Sequence, residues 1–245
     1  MKRHLGWDAS AEAWINSNGD DGDKSRKHIL DPAILRRLDV RSFENAIDVG
    51  CGEGRFCRLL QARGVKTVGI DLSEPLVLQA RTRDPSGDYR VESGEKLSSA
   101  DGEFDLAISY LSLIDIPDFR AAIREMVRVM KPGASLLVVN LTSFNTAGQK
   151  KGWRRTFTGK IKDYVIDDYS TERATIVEWA GIRVENWHRP IDAYMQAYLS
   201  AGLNLIHYEH PMPEDDALHL FEKYPRAPWF NLMEWRKPLD LGVST

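Results

Sequence analysis

Between Ala46 and Leu141, short apolar runs alternate with helical patterns, and this alternation leaves the chain few folds to choose from. Ala46–Val49, Thr67–Asp71, Tyr89–Glu92 and Phe104–Ser109 are candidates for buried strands, and Ala134–Leu141 (ASLLVVNL) is the most strand-like run of the chain. Between them fall Phe56, Leu59 and Leu60, then Leu76, Val77 and Ala80, then Ile123, Met126, Val127 and Met130. Each of these sets is spaced for one face of a helix. The last helix, from about Phe119 to Met130, is expected to stop at the breaker Lys131-Pro132-Gly133. Strands that alternate with helices form a parallel sheet covered on both faces.

The rhythm breaks after Leu141. Thr142–Asp163 is basic and aromatic, with Lys150, Lys151, Trp153, Arg154, Arg155, Lys160 and Lys162, and Tyr164–Trp187 alternates as two antiparallel strands would. The rhythm resumes with a helix over Pro190–Ala201, ended by Gly202, a strand over Leu203–Glu209 and a last strand over Trp229–Trp235. Ligands of open α/β sheets bind beyond the carboxyl ends of the strands. An insertion at 142–188, just after the fifth strand, therefore lies where a lid would arise. Upstream, Asn18–Asp23 is a polar loop, and Asp31-Pro32 is expected to open a helix with Asp31 as its N-cap. The organisation read from the chain is one domain over 1–245, with a helical N-terminal segment over 1–40.

Charge narrows the partners. With 33 basic and 36 acidic side chains the net charge is −3, which speaks against the basic face that a nucleic-acid backbone needs. No apolar run approaches the roughly 20 residues of a membrane span, and the N-terminal MKRHLGWDAS has no apolar stretch of the secretory kind. Cys51 and Cys57 lie six positions apart across a loop and a helix. That placement does not favour a disulfide, and a reducing cytoplasm is the expected setting. His207 and His210 are three apart on a strand, hence on opposite faces, so no metal pair is expected. Nothing in the chain fixes an oligomeric state.

The stretch Ala46–Leu60, AIDVGCGEGRFCRLL, carries the chemistry. A dinucleotide loop would place its third glycine where this chain has Arg55, and a phosphate loop would end in Gly-Lys-Ser/Thr, which is absent. Asp48 beside Gly50, Gly52 and Gly54 would repel phosphate and favour a ligand that carries a cation there. Asp71 ends the next strand, and an acid at that point is the usual partner of ribose hydroxyls. A ribose joined to a cationic amino-acid end describes S-adenosylmethionine.

Four segments in order, IDVGCGEGRF, VGIDLSE, ESGEKLSSADGEFDLAIS and VMKPGASLLVVN, resemble the class I S-adenosylmethionine-dependent methyltransferases, small-molecule type, over roughly 44–140. ENWHRPIDAYMQAYLSAGLNLIHYEHP is similar, more loosely, to the helix and strand after the insertion in many members. The resemblance implies a doubly wound α/β fold: a seven-stranded, mostly parallel sheet whose last strand is antiparallel. It implies S-adenosylmethionine as methyl donor. Asp48, Gly50, Cys51 and Gly52 would surround its methionine portion, Asp71 would take the ribose, and Leu72 would cover an adenine face. Many members have Gly-Asp-Ala-Glu after the third strand. Here Glu92-Ser93-Gly94-Glu95 stands in its place, so either Ser93 or Glu95 accepts from the adenine amino group. Ser109 and Tyr110 match positions nearest the sulfonium, and Trp14 and Arg26 are candidates from an N-terminal segment folded over the cofactor, Arg26 for the methionine carboxylate.

For catalysis the candidates are Asp115, in SLIDIPDF, and His188, in NWHRP. Asp115 is read either as a group that binds or deprotonates the acceptor or as a turn cap before Pro117. His188 is read as a general base or as a structural histidine. Cys51 is expected to be a small packing residue and not a nucleophile, and SYLS after the fourth strand lacks the Asn-Pro-Pro-Tyr pattern of amino-directed nucleobase methylation. Trp153, Trp179 and Trp187 are candidates to line an acceptor pocket. The expected activity is methyl transfer to an oxygen or nitrogen of a small-molecule acceptor. The alternatives are an RNA or protein methyltransferase gripping its partner with the 150–162 cluster, and a non-catalytic cofactor-binding module.

Overall fold

The computed structural model describes residues 6–148 and 152–239. Five strands, β1 (Asn45–Val49), β2 (Lys66–Asp71), β3 (Asp88–Val91), β4 (Phe104–Tyr110) and β5 (Met130–Leu141), fall where the apolar runs predict them. Three of the four linkers among these strands hold a helix, α3 (Arg55–Gln61), α4 (Glu74–Arg83) and α5 (Phe119–Val129), and α1 (Trp7–Asn18) and α2 (Asp31–Leu38) precede them. After β5 come α6 (Ser143–Gly148), β6 (Gly152–Arg155), β7 (Ile161–Val165), β8 (Arg173–Trp179), β9 (Ile182–His188), α7 (Ile191–Ser200), β10 (Asn204–Glu209) and β11 (Phe230–Arg236).

Seven strands form one sheet in the order β10-β11-β5-β4-β1-β2-β3. Neighbours among β1 to β5 run parallel, and β11 is antiparallel to both β5 and β10. The order reverses between β1 and β4, so the carboxyl ends of these two strands open a crevice.

Strand alternation sorts the core. On β5, Leu136 and Val138 join the cluster under α5 and α7, with Phe119, Ile123, Met126, Tyr194 and Tyr198. Leu137 and Val139 point the other way, to Ile34, Phe56, Leu60 and Tyr224. Each fully buried side chain of this kind contributes ~1.5–3 kcal/mol relative to exposure, so a register slip of one residue would be opposed along the whole strand.

Three sequence expectations need correction. Lys131-Pro132-Gly133 does end α5, at Val129, but β5 starts directly at Met130 and absorbs the breaker as an irregularity, with Gly133 at φ 77°. Asp31 is not an N-cap. A π-helical turn, Arg26–Leu30, runs straight into α2, and the Asp31 carboxylate is engaged by tertiary partners instead. The stretch after Leu141 holds two antiparallel hairpins, not one: β6 with β7, and β8 with β9. The described part of the basic run lies on the first of these, while Lys150 and Lys151 lie outside the described residues. Both cysteines are buried free thiols. Among the described residues no helix is long and apolar enough to cross a membrane.

The second hairpin and α1 join. Ser10 Oγ donates to the Arg183 carbonyl (3.1 Å) and accepts from its N–H (3.0 Å). Gly6, at φ 89°, is required there: a Cβ would sit 2.3 Å from the same carbonyl oxygen. On its other side β9 meets the segment after β4, where the Trp187 N–H donates to the Ile114 carbonyl (2.7 Å).

Candidate active site

A cavity of about 380 Å³ opens at the carboxyl ends of β1, β2 and β4. It is lined by Gly50 and Gly52 from the loop after β1, by Asp71 and Leu72 after β2, by Glu92, Ser93, Gly94 and Glu95 after β3, and by Tyr110, Leu111, Ser112, Asp115, Ile116 and Pro117 after β4. Trp7 and Trp14 of α1, with Arg26, close it from the N-terminal side. A smaller adjoining hollow of about 60 Å³ touches Asp48, Cys51, Glu53 and Arg55. Of the sequence candidates, eleven therefore meet at one cavity and Asp48 and Cys51 lie beside it. Ser109 and His188 are not in its wall.

The glycine loop is main chain brought very close to its neighbours. Gly50 has φ 83°, and a Cβ there would lie 2.3 Å from the Ser112 Cβ. Gly52 has φ 57° and faces the Trp14 indole. Asp71 braces this loop from β2: Oδ2 accepts from Gly52 N–H (2.9 Å) and Oδ1 from Ser73 N–H (2.8 Å). Burial raises the Asp71 pKa, against the pull of those two N–H donors.

Asp48 is more extreme. Its side chain is buried, Oδ2 receives only the weak Cys57 thiol donor (3.5 Å), and Oδ1 has no partner. Burial pushes its pKa up to about 7. Such a group gains from a cationic neighbour, because the charge is then no longer uncompensated. For Cys51 the Cys57 thiol contact lowers the pKa, but burial and the charges of Asp71 and Asp48 outweigh it, and the thiol ends at about 11. That suits a packing residue and not a nucleophile.

Arg55, the residue that stands where a third glycine would be, ties this loop to the N-terminal segment. Its guanidinium makes two 2.8 Å bonds to Asp31, and Tyr110 Oη donates to the same carboxylate (2.8 Å). Burial opposes the Arg55 charge, and the Asp31 bonds more than offset it. Arg26 is held by Asp23 and lies over the rings of Trp14 (4.7 Å) and Tyr110 (5.6 Å). Ser93 Oγ accepts from Glu95 N–H (3.2 Å), while Glu95 accepts from Asp118 N–H (2.9 Å).

Asp115 is no turn cap. Its carboxylate accepts from Asn186 Nδ2 of β9 and from the Trp7 indole of α1, so three distant segments meet on it. Burial holds its pKa well above the usual carboxylate range, despite those two donors. His188 is buried, with Nδ1 2.7 Å from Thr146 Oγ1 and Nε2 2.7 Å from the Tyr169 carbonyl. The carbonyl only accepts, so Nε2 carries a proton. Burial lowers the ring's pKa, which leaves it neutral with both nitrogens engaged. Ser109 Oγ is spent on Ser112 Oγ (2.7 Å).

The tryptophans of the insertion do not line the cavity. Trp179 makes an edge contact with Trp7 (6.5 Å), Trp187 lies under Arg189 (5.0 Å), and Trp153 packs on Tyr164 and Arg226. The sequence reading missed Trp7, Ser112, Asn186 and Arg189. Arg189 is buried and donates to the carbonyls of Leu113 (2.8 Å), Ile116 (2.6 Å) and Pro117 (3.0 Å), setting the shape of the loop that carries Asp115. Its signal was an arginine inside ENWHRP just before a helix, where the adjacent histidine drew the attention.

Comparison with known proteins agrees with this layout. Residues 47–138 match the family model described as "Methyltransferase domain". The chain is similar to the malonyl-[acyl-carrier protein] O-methyltransferase of Salmonella typhimurium, 33% identical over 129 residues that make up 53% of this chain and 51% of the relative. It is similar to the ubiquinone biosynthesis O-methyltransferase of Xanthomonas oryzae pv. oryzae, 34% identical over 54% of this chain and 58% of the relative. The chain thus spans about half the length of the curated relatives it matches. An S-adenosylmethionine-dependent methyltransferase from Mesorhizobium loti superposes over 89% of this chain and 100% of its own, with a TM-score of 0.77 at 27% identity.

Proposed function

From the match of residues 47–138 to the methyltransferase family model and the superposition on an S-adenosylmethionine-dependent methyltransferase, we propose that this chain is a class I S-adenosylmethionine-dependent methyltransferase that transfers a methyl group to an oxygen or nitrogen of a small-molecule acceptor. The observation that carries the reading is the conjunction of a side-chain-free loop at Gly50 and Gly52, the unpartnered Asp48 Oδ1 and the Asp71 carboxylate around one cavity. These residues fit the donor. The bare loop leaves room for its methionine portion, Asp48 suits its cationic end, and Asp71 suits a ribose diol. Arg26, stacked between Trp14 and Tyr110, would hold the methionine carboxylate.

When bound, the donor supplies a methyl group already activated by a positive sulfur. The protein's own work is then alignment and exclusion of water. Trp7, Trp14 and the β8–β9 hairpin behind them cover the cavity, and Asp115 is the one group at the acceptor end that is able to hold or accept a proton. His188 is given a structural part: it joins β9 to α6 and to the Tyr169 segment.

The test is incubation with methyl-labelled S-adenosylmethionine and a cell extract. Label should appear in the low-molecular-mass fraction. Label confined to RNA or protein would favour the macromolecular alternative, and no transfer with intact cofactor binding would favour the non-catalytic one.

A further inference from the structure

The acceptor end of the cavity has a charge pattern that the donor end does not explain. Trp7, Leu111, Asp115, Ile116 and Pro117 line it. Among these five residues Asp115 is the ionisable side chain. Two cations lie nearby, and neither is available to a ligand there. Arg189 lies behind the loop with no exposed side-chain surface, and its two terminal nitrogens donate to the Leu113, Ile116 and Pro117 carbonyls. Arg26 is committed to Asp23 and to the rings of Trp14 and Tyr110 at the donor end. Two charges bear on Asp115: Asp71, which is also negative, and Arg189, which is positive but has no surface exposed to the cavity.

A carboxylate acceptor would meet like charge and no exposed counter-ion to contact, which costs binding heavily in a desolvated site. A cationic acceptor meets the reverse: a carboxylate, a second carboxylate within its field, and an indole face at Trp7. Asn186 and Trp7 orient Asp115, and a bound ammonium would favour its ionised form against the burial that raises its pKa.

From this geometry we infer that the acceptor is an amine, recognised as an ammonium by Asp115 and methylated on nitrogen. The inference rests on the methyl-transfer reading above and deepens it. The ammonium gives one proton to the Asp115 carboxylate. The freed lone pair forms the N–C bond as the methyl C–S bond breaks, and the electron pair of that bond stays on sulfur, leaving a neutral thioether. The product leaves as a methylammonium, and Asp115 returns its proton to water. The raised proton affinity of Asp115, which desolvation sets, suits the first of these steps.

The test uses the whole chain with S-adenosylmethionine and a panel of primary and secondary amines, matched carboxylic acids and matched phenols, read by mass spectrometry. Amines should be methylated at least about tenfold more efficiently than either matched set, since a wrongly charged buried group is rejected by that margin or more. Asp115→Asn should lower kcat/KM for the amines about 100-fold, move the pH profile of kcat/KM, and leave S-adenosylhomocysteine affinity within about twofold by calorimetry. That last readout separates the two readings: lost homocysteine-nucleoside binding in the parent protein sinks the methyl-transfer reading itself. Preference for acids or phenols, no turnover of any amine, or an Asp115→Asn variant as active as the parent overturns the amine assignment while cofactor binding stands.

Discussion

The floor and the roof of the cavity are built from different material. The floor is main chain held by short-range geometry: Gly50 and Gly52 at positive φ, braced by Asp71 from the adjacent strand. The roof is side chains gathered from far apart. Asn186 reaches Asp115 across 71 positions, and Ser10 reaches Arg183 across 173. A floor of this kind has little tolerance for any added atom, which suits a ligand common to a family. A roof made of indoles and one carboxylate keeps its backbone frame while individual side chains change, which suits the part that selects an acceptor.

The difference can be broken first at the joint between the two. Arg55→Ala leaves the Asp31 carboxylate buried with only Tyr110 as partner, and should destabilise the protein by about 3–5 kcal/mol in urea unfolding. Next is the floor. Gly50→Ala adds a Cβ 2.3 Å from Ser112 at φ 83°, so S-adenosylhomocysteine should bind about 100-fold more weakly, or roughly 3 kcal/mol.

The floor also has a pH signature. The Asp48 pKa is raised from 3.8 to about 7, so between those values the folded state holds a proton that the unfolded state has lost. This contribution to stability is fully present below about pH 4, declines as pH rises, and is gone above about pH 7. Asp48→Asn should remove that slope and stabilise the ligand-free protein at pH 8 by on the order of 2 kcal/mol, read as Tm against pH. The roof yields the smallest effect. Ser10→Ala deletes two hydrogen bonds to Arg183, costs about 1 kcal/mol locally, and should weaken S-adenosylhomocysteine binding roughly fivefold with Tm nearly unchanged.

Legibility in the sequence follows the same division. The strands from β1 to β5 were readable because buried parallel strands are apolar throughout and sit between 3.6-period segments. That Gly50, Gly52, Asp71 and the β3 loop face one cavity was readable because each lies at a strand end. Asp115 was found but its partners were not, because Trp7 and Asn186 meet it only through tertiary packing. His188 was readable from its residue type as a base or as a structural histidine, and burial with both nitrogens bonded fits the structural reading. Asp31 misled for the converse reason: Asp-Pro is a cap pattern, but a buried guanidinium at Arg55 is a stronger partner for a carboxylate than an N–H that a preceding π-turn already satisfies.

The central claim is that this floor is shaped for a cationic nucleoside and not for a pyrophosphate. Calorimetric titration of the purified protein with S-adenosylhomocysteine, and in parallel with a nicotinamide dinucleotide, tests it directly. The account predicts micromolar binding of the first, lost by at least about 30-fold in Asp71→Ala, and no heat from the second. Dinucleotide binding, or S-adenosylhomocysteine affinity indifferent to Asp71, would contradict it.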